Sequence, residues 1–302
     1  MKIVILGAGG QLGRALTATA PGGHELSAFS SAQLDITDAA AVARMVAGLQ
    51  PAVILNAAAY TQVDRAESEA AQAFAVNRDG VANLVAASTP ATRLIHVSTD
   101  FVFDGSATRP RLPGDPVNPL SVYGQSKRAG EDVLLAQAPL RSCIVRTAWL
   151  YGAEGKNFLN TMLGLMGSRD SLSVVNDQRG TPTSVLSLAA ALWRLVDLPL
   201  VHGVLHWTDA GEASWFEFAS EIQAQALRLG LLQRAIPLQP IPTSAYPTPA
   251  VRPAYSVLDK TATWQALGLR ALPWQEELER VLQMKLAARL GESGQDSGAS
   301  GR

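Results

Sequence analysis

The chain has 302 residues, 47% of them hydrophobic and 17% charged, and a formal net charge of −1. It is long enough to bury a large core and to divide into two lobes. The charge balance excludes a broad basic surface for nucleic acid or anionic membrane, and a single cysteine, Cys143, excludes internal disulfides and cysteine-based metal sites. Cys143 sits in an apolar run and reads as a small buried side chain. No run approaches the roughly 18 apolar residues of a spanning helix. Ile3–Leu6 is too short for a signal peptide, so a cytoplasmic protein is expected.

In chain order, short apolar runs alternate with helical patterns through the first half. Strands are expected at Lys2–Leu6, Glu25–Ser30, Ala52–Asn56, Leu94–Val97 and Ser142–Arg146. Helices are expected at Gln11–Ala20, Ala39–Leu49, Glu67–Thr89 and Gly124–Gln137. Unbroken apolar strands separated by helices predict an α/β, Rossmann-type doubly wound parallel sheet. Beyond Arg146 the pattern loosens. Helices at Asn157–Met166, Thr183–Val196, Ser214–Leu229 and Trp274–Leu290 surround short strands at Leu172–Val175 and Val204–Trp207. Prolines 237, 240, 242, 247, 249 and 253 mark an extended loop region. The expected organisation is a dinucleotide-binding domain of residues 1–148 plus about 170–208 and a smaller C-terminal substrate-binding lobe of about 149–169 plus 209–290. The Gly/Ser-rich residues 291–302 read as a disordered tail.

Gly7, Gly10 and Gly13 follow the first strand and open the first helix. The first permits a tight turn, the second lets a pyrophosphate approach the backbone, and the third allows close helix packing. The amides of Gln11 and Leu12 would meet the phosphates, because a helix N-terminus favours anions. A carboxylate ending the second strand would select NAD. Here that strand ends at Ser30 without one, and the nearest acid, Asp35 beside Ile36, is expected near the adenine or capping the next helix. NADPH is therefore the expected cofactor, with NADH permitted and Arg14 available to neutralise an extra phosphate.

Tyr123 and Lys127 stand four residues apart and share one helix face. An ammonium beneath the phenol would lower its pKa from about 10 and let it protonate a developing alkoxide. Ser98 and Thr99 follow a strand, at the carboxyl edge where open α/β sheets bind ligands, so a hydroxyl there can hold the substrate oxygen. Tyr-x-x-x-Lys by itself is commonly a surface pair. Its coupling to the Ser-Thr pair and the glycine turn favours catalysis.

With these residues stand the runs Leu34-Asp-Ile-Thr-Asp38, Asn56-Ala-Ala-Ala-Tyr-Thr61, Val97-Ser-Thr-Asp-Phe-Val-Phe-Asp-Gly105, Arg146-Thr-Ala-Trp-Leu-Tyr-Gly152, Asp177-Gln-Arg-Gly-Thr-Pro-Thr183 and Arg252-Pro253. To about Leu290 the chain resembles the extended short-chain dehydrogenase/reductases, and within them the dTDP-4-dehydrorhamnose reductase family. The resemblance implies hydride transfer from NADPH to C4 of a dTDP-4-keto-6-deoxy sugar, giving dTDP-L-rhamnose. Tyr123 would then protonate the oxygen, Thr99 bind it, and Lys127 support the tyrosine and the nicotinamide ribose. Asn56, Ala57, Ala58 and Tyr60 would line the cofactor groove, and Asp100, Phe101 and Trp149 the sugar pocket. Arg179 and Arg252 become candidates for the diphosphate, since a guanidinium fork matches phosphate oxygens. The family usually carries tyrosine where Phe101 stands and asparagine where Tyr255 stands. Some members form a magnesium-bridged dimer through a glutamate early in the first helix. Arg14-Ala15 occupy that stretch, so no metal is expected, and the chain is expected as a monomer or weak homodimer. Rival readings are a 4-epimerase or 4,6-dehydratase on the same scaffold, the latter disfavoured because Phe101 replaces its second carboxylate, and a regulatory binding module like the beta subunit of methionine adenosyltransferase.

Overall fold

The computed structural model describes residues 1–296. Its first half runs β1 (Lys2–Leu6), α1 (Gln11–Ala18), β2 (Glu25–Phe29), α2 (Ala39–Leu49), β3 (Val53–Asn56), α3 (Val63–Ala66), α4 (Ala70–Phe74), α5 (Gly80–Ala87), β4 (Arg93–Thr99), α6 (Val122–Gln137) and β5 (Ser142–Thr147). The second half runs β6 (Leu150–Tyr151), α7 (Phe158–Ser168), β7 (Leu172–Val175), β8 (Arg179–Gly180), β9 (Thr183–Ser184), α8 (Val185–Val196), β10 (Gly203–His206), β11 (Ala213–Ser214), α9 (Trp215–Arg228), β12 (Leu238–Ile241), α10 (Thr261–Leu267) and α11 (Trp274–Asp296).

Six parallel strands form the central sheet in the order β10-β5-β4-β3-β1-β2. Alternate residues of each strand feed opposite faces. Ile3, Ile5, Leu55, Ile95 and Val145 pack under α1 and α8 in one core, whereas Val4, Leu6, Ile54, Leu94 and Ile144 pack under α2, α5 and α6 in another. Both faces are buried, which explains why these strands read as continuous apolar runs. Each such side chain contributes roughly 1.5–3 kcal/mol on burial. The chain reverses direction across the sheet between β1 and β3, and the carboxyl ends of these strands open a crevice there.

A third core gathers Tyr151 of β6 and Leu159, Met162, Phe218, Ile222, Trp274 and Leu278 of the later helices. Its helix α9 begins with a capping box between Ser214 and Glu217. Several features differ from the sequence expectation. The helix expected over Glu67–Thr89 is broken by a π-helical turn, Ala75–Asp79, between α4 and α5. Strand β7 pairs with β12 and Val174 joins the third core, so residues 170–176 pack with the lobe rather than with the sheet. Conversely Leu267 and Ala271 pack on the sheet's first core. The prolines did not prevent β12, because a short strand with a single partner tolerates Pro240. The last helix continues through Asp296, past the point where the tail was expected to begin, and residues 297–302 lie outside the described residues. No helix among the described residues is long and apolar enough to cross a membrane.

Candidate active site

A cavity of about 870 Å³ opens at the carboxyl ends of β1, β3, β4 and β5. One end is built from the glycine turn. Gly7 has φ +78°, and a Cβ there would lie 2.7 Å from the Ala57 and Ala58 backbone. A Cβ on Gly13 would lie 2.1 Å from the Gly7 carbonyl oxygen. Glycine at both positions lets α1 and the β3 end approach within backbone contact. Gly10 is the N-cap of α1 and offers no side chain, and the first helical turn carries no acid. The leading amides of α1 have no partner one turn back, so this end suits an anion.

Gly7, Gly10, Gln11, Leu12, Gly13, Asp35, Ile36, Ala57, Ala58, Tyr60 and Ser98 all line the cavity. Asp35 accepts from the Thr37 amide and hydroxyl at 2.9 and 2.8 Å, while Asp38 caps α2 through Ala41. Two expected groove residues and one expected counter-charge lie elsewhere. Ser30 is absent from the lining, where Ser31 stands instead. The strand ends at Phe29, and the Ser30 amide and hydroxyl both bond Gln33. Asn56 is buried behind the wall, with its amide directed at His96 3.0 Å away. Arg14 donates to the Gly9 carbonyl at 2.8 Å and pairs with Glu154, which satisfies its guanidinium outside the lining.

At the middle of the cavity lie Thr99, Asp100, Phe101, Tyr123 and Lys127. Ser121 caps α6, accepting from the Gly124 amide at 3.2 Å. A Cβ on Gly124 would stand 2.3 Å from the Phe101 carbonyl oxygen, so glycine lets the first turn of α6 press onto the end of β4. That contact brings the Tyr123 ring edge-on to Phe101, with centroids 5.6 Å apart, and its hydroxyl into the neighbourhood of the Thr99 side chain. Burial raises the Tyr123 phenol to about 12, against the lowering effect of the Thr99 hydroxyl. This differs from the expected lowering by Lys127. The lysine Nζ donates to the Val97 carbonyl at 2.7 Å and lies 3.1 Å from His96 Nε2, which turns it toward β4. Burial lowers Lys127 itself to about 8 although Glu131 pulls it upward. Burial likewise raises the Asp100 carboxyl to about 6, opposed by the nearby Ser256 hydroxyl and by the hydrogen bond that Thr99 donates at 3.0 Å.

The far end is aromatic. Trp149 lines the cavity with a left-handed φ of +46° and stacks on Trp215, centroids 3.5 Å apart. Gly180 accommodates that pose, because a Cβ there would meet the Trp149 ring at 2.6 Å. Arg252 also lines the cavity, bridged to Asp64 at 2.8 and 3.1 Å and bonded to Thr248. Arg179 does not line it. Its guanidinium is held by Glu212 at 3.0 Å and Glu217 at 3.5 Å, so the expected diphosphate ligand sits in a structural ion-pair network instead. Tyr255 joins that network through Glu212.

Several lining residues were not expected: Lys156, Trp215, Thr61 and Thr147 among them. Thr147 had a usable signal, since it ends β5 beside Thr99 in the sheet register. Asn77 was also missed. From the π-helical turn it clasps the Tyr60 backbone on both sides and donates to Ser126 of α6 at 2.9 Å. Among the described residues no group of three or more His, Cys, Asp or Glu is placed to hold a metal.

A parallel sheet with a glycine turn at its switch point, and a Tyr-x-x-x-Lys helix beside a strand-end threonine, defines a dinucleotide-dependent oxidoreductase of the short-chain dehydrogenase type. Residues 1–286 match the family described as the RmlD substrate binding domain. The chain belongs to that family. It is 41% identical over 288 residues to a dTDP-4-dehydrorhamnose reductase of Aggregatibacter actinomycetemcomitans, covering 93% of this chain and 98% of the relative. A crystal structure of a Clostridium acetobutylicum dTDP-4-dehydrorhamnose reductase superposes with a TM-score of 0.88 at 39% identity, over 94% of this chain and 99% of that one. The Bacillus anthracis reductase, crystallised in complex with NADP, superposes with a TM-score of 0.88 at 35% identity, over the same shares.

Proposed function

We propose that the protein reduces the C4 keto group of dTDP-4-dehydro-L-rhamnose to give dTDP-L-rhamnose, with NADPH as the working reductant and NADH tolerated. The observation that carries this reading is the single cavity wall on which glycine turn, Thr99, Tyr123 and Lys127 meet. The fit to a dinucleotide rests on the close approaches at Gly7 and Gly13 and on the uncapped N-terminus of α1. Gly7, Gly10, Gln11, Leu12 and Gly13 would hold its phosphates, with Asp35, Ile36, Ala57, Ala58, Tyr60 and Ser98 along its length. When bound, the cofactor supplies the hydride.

The chain's own residues do the rest. Thr99 Oγ1 holds the keto oxygen, and the Tyr123 hydroxyl gives that oxygen its proton as negative charge develops there. A phenol raised by burial is a poor acid at rest, so its donation depends on that developing charge and on a cationic Lys127 stabilising the phenolate left behind. Asp100 accepts from a sugar hydroxyl, Phe101 and the Trp149–Trp215 stack enclose the ring, and Arg252 meets the diphosphate. The sheet with its two cores carries the dinucleotide, and the lobe around the third core carries the sugar nucleotide.

The test is spectrophotometric. NADPH oxidation with the dTDP-4-keto-6-deoxy sugar should be fast in the wild type and fall by about 10²–10⁴ in Tyr123→Phe, with NADPH affinity retained. A wild-type protein that binds NADPH but oxidises none with this sugar would instead support a binding module. Near-wild-type kcat in the variant would remove Tyr123 as proton donor.

A further inference from the structure

Lys127 is held from behind by two residues that do not line the cavity. The Ala58 amide donates to Asn56 Oδ1 at 3.1 Å. This fixes the orientation of the Asn56 amide, because the reverse would set two donors face to face. Asn56 Nδ2 then points its N–H groups at His96 Nδ1, 3.0 Å away. Nδ1 must accept, so the proton of the neutral ring resides on Nε2. Nε2 faces Lys127 Nζ at 3.1 Å. An N–H there needs a lone pair on the lysine nitrogen, which only the neutral amine possesses. Asn56, His96 and Lys127 are buried, at 3%, 1% and 1% exposure, so water cannot relieve a mismatch.

We propose that Asn56 and His96 are positioning residues whose one-way hydrogen-bond chain biases Lys127 toward its neutral amine and thereby sets the upper pH limit of turnover. With an ammonium at Lys127, one junction of the chain must place donor against donor, either at Nε2 or at Nδ1. The neutral form satisfies every junction and still donates to the Val97 carbonyl. A downward shift of Lys127 and a His96 held well below its ordinary value agree with this polarity. The other groups around Lys127 are accounted for. Glu131, one turn along α6, is engaged by Ser98, Arg146 and Arg128. Arg146 lies on β5, and Asp100 and Tyr123 stand on the cavity side. Asn77, from the π-helical turn, is neutral and bonded to Ser126.

The kinetic part rests on the proposed reductase reading; the spectroscopic part does not. Nitrogen-15 labelling of the four histidines should show His96 neutral with its proton on Nε2 at about pH 9. A proton on Nδ1 in the wild type overturns the proposal whatever the substrate. Asn56→Asp puts a carboxylate where the amide donated. It can accept from both Ala58 N–H and His96 Nδ1–H, so the ring should switch tautomer and present a lone pair to an ammonium. The basic limb of kcat should then rise by about one pH unit, tenfold in proton affinity. His96→Leu should raise that limb too, without an added charge. A limb that rises in Asn56→Asp while His96 keeps its proton on Nε2 reflects only the carboxylate's field and overturns the chain. A lower rate with an unmoved limb in both variants means that the two residues merely support the fold, and also overturns it. If the wild type reduces no keto sugar, the reductase reading fails while the tautomer measurement still decides the chain's polarity.

Discussion

The glycine-turn end of the cavity and its tryptophan end are built by different means. At the first, the wall is mostly main chain: α1, β1 and the segment after β3 touch through positions where a Cβ would collide, with Asp35 and Lys156 at its margins. At the second, Trp149, Trp215 and Arg252 converge from well-separated stretches of sequence, each held by a partner of its own. A backbone wall tolerates almost no substitution but recognises only what every dinucleotide shares. A side-chain wall tolerates change and can therefore be tuned to one sugar nucleotide.

The largest effect should come from breaking the backbone end. Gly13→Ala forces a methyl group to within 2.1 Å of the Gly7 carbonyl oxygen, and the neighbouring atoms of Gly7 and Ala8 are main chain that cannot step aside. NADPH affinity should fall by at least about 100-fold, and the variant should lose roughly 1–3 kcal/mol of stability by overpacking. Fluorescence titration and thermal unfolding measure both. Wild-type affinity in a folded Gly13→Ala protein would show that α1 can slide, and the contrast between the two ends would fail.

The side-chain end should respond more mildly and only toward the sugar nucleotide. Arg252→Met removes a guanidinium fork and should raise KM for the nucleotide sugar by about 10–100-fold, the equivalent of roughly 1.5–3 kcal/mol for a charged hydrogen bond. NADPH affinity should not move. Asp64→Asn keeps the arginine but frees it from its carboxylate, so KM should fall or stay level. Should both variants lose stability equally with KM unchanged, Arg252 would be a structural partner of Asp64 and nothing more.

This division also explains what the sequence made legible. The glycine turn, the Tyr123–Lys127 spacing and the strand-end Thr99 are local patterns, and their geometry follows from one strand or one helix. The sheet was legible for the same reason, since strands buried on both faces announce themselves as apolar runs. Trp215 and Lys156 were not, because nothing in their neighbourhoods says which cavity a distant loop will reach. Arg179 misled for a related reason: a guanidinium fork fits a diphosphate, but Glu212 and Glu217 arrive from later in the chain and claim it. Asn77 was hidden by the π-helical turn, which a helical pattern over Glu67–Thr89 does not reveal. Asn56 was assigned to the groove through the family resemblance, whereas the direction of its side chain, at the end of β3, is set by His96 on the adjacent strand.

The smallest effect should be one of pH at the boundary between the two ends. Burial holds the Asp100 carboxyl up at about 6, and its Oδ2 has no hydrogen-bond partner among the described residues. As a carboxylate it can accept from a sugar hydroxyl; protonated, it loses much of that capacity. kcat/KM should therefore fall by several-fold as pH drops through about 6. Asp100→Asn should lower the plateau and abolish that limb while leaving the basic one in place. Stability should move the opposite way. A carboxyl whose folded pKa lies above its ordinary 3.8 destabilises the fold when ionised, so the wild type should lose stability as pH rises from about 4 through about 6, and Asp100→Asn should not. An acidic limb that survives in Asp100→Asn would assign it to another group and take Asp100 out of sugar recognition. Loss of the limb together with an unchanged stability profile would place the carboxyl in contact with solvent, and the wall at this point would belong to neither end.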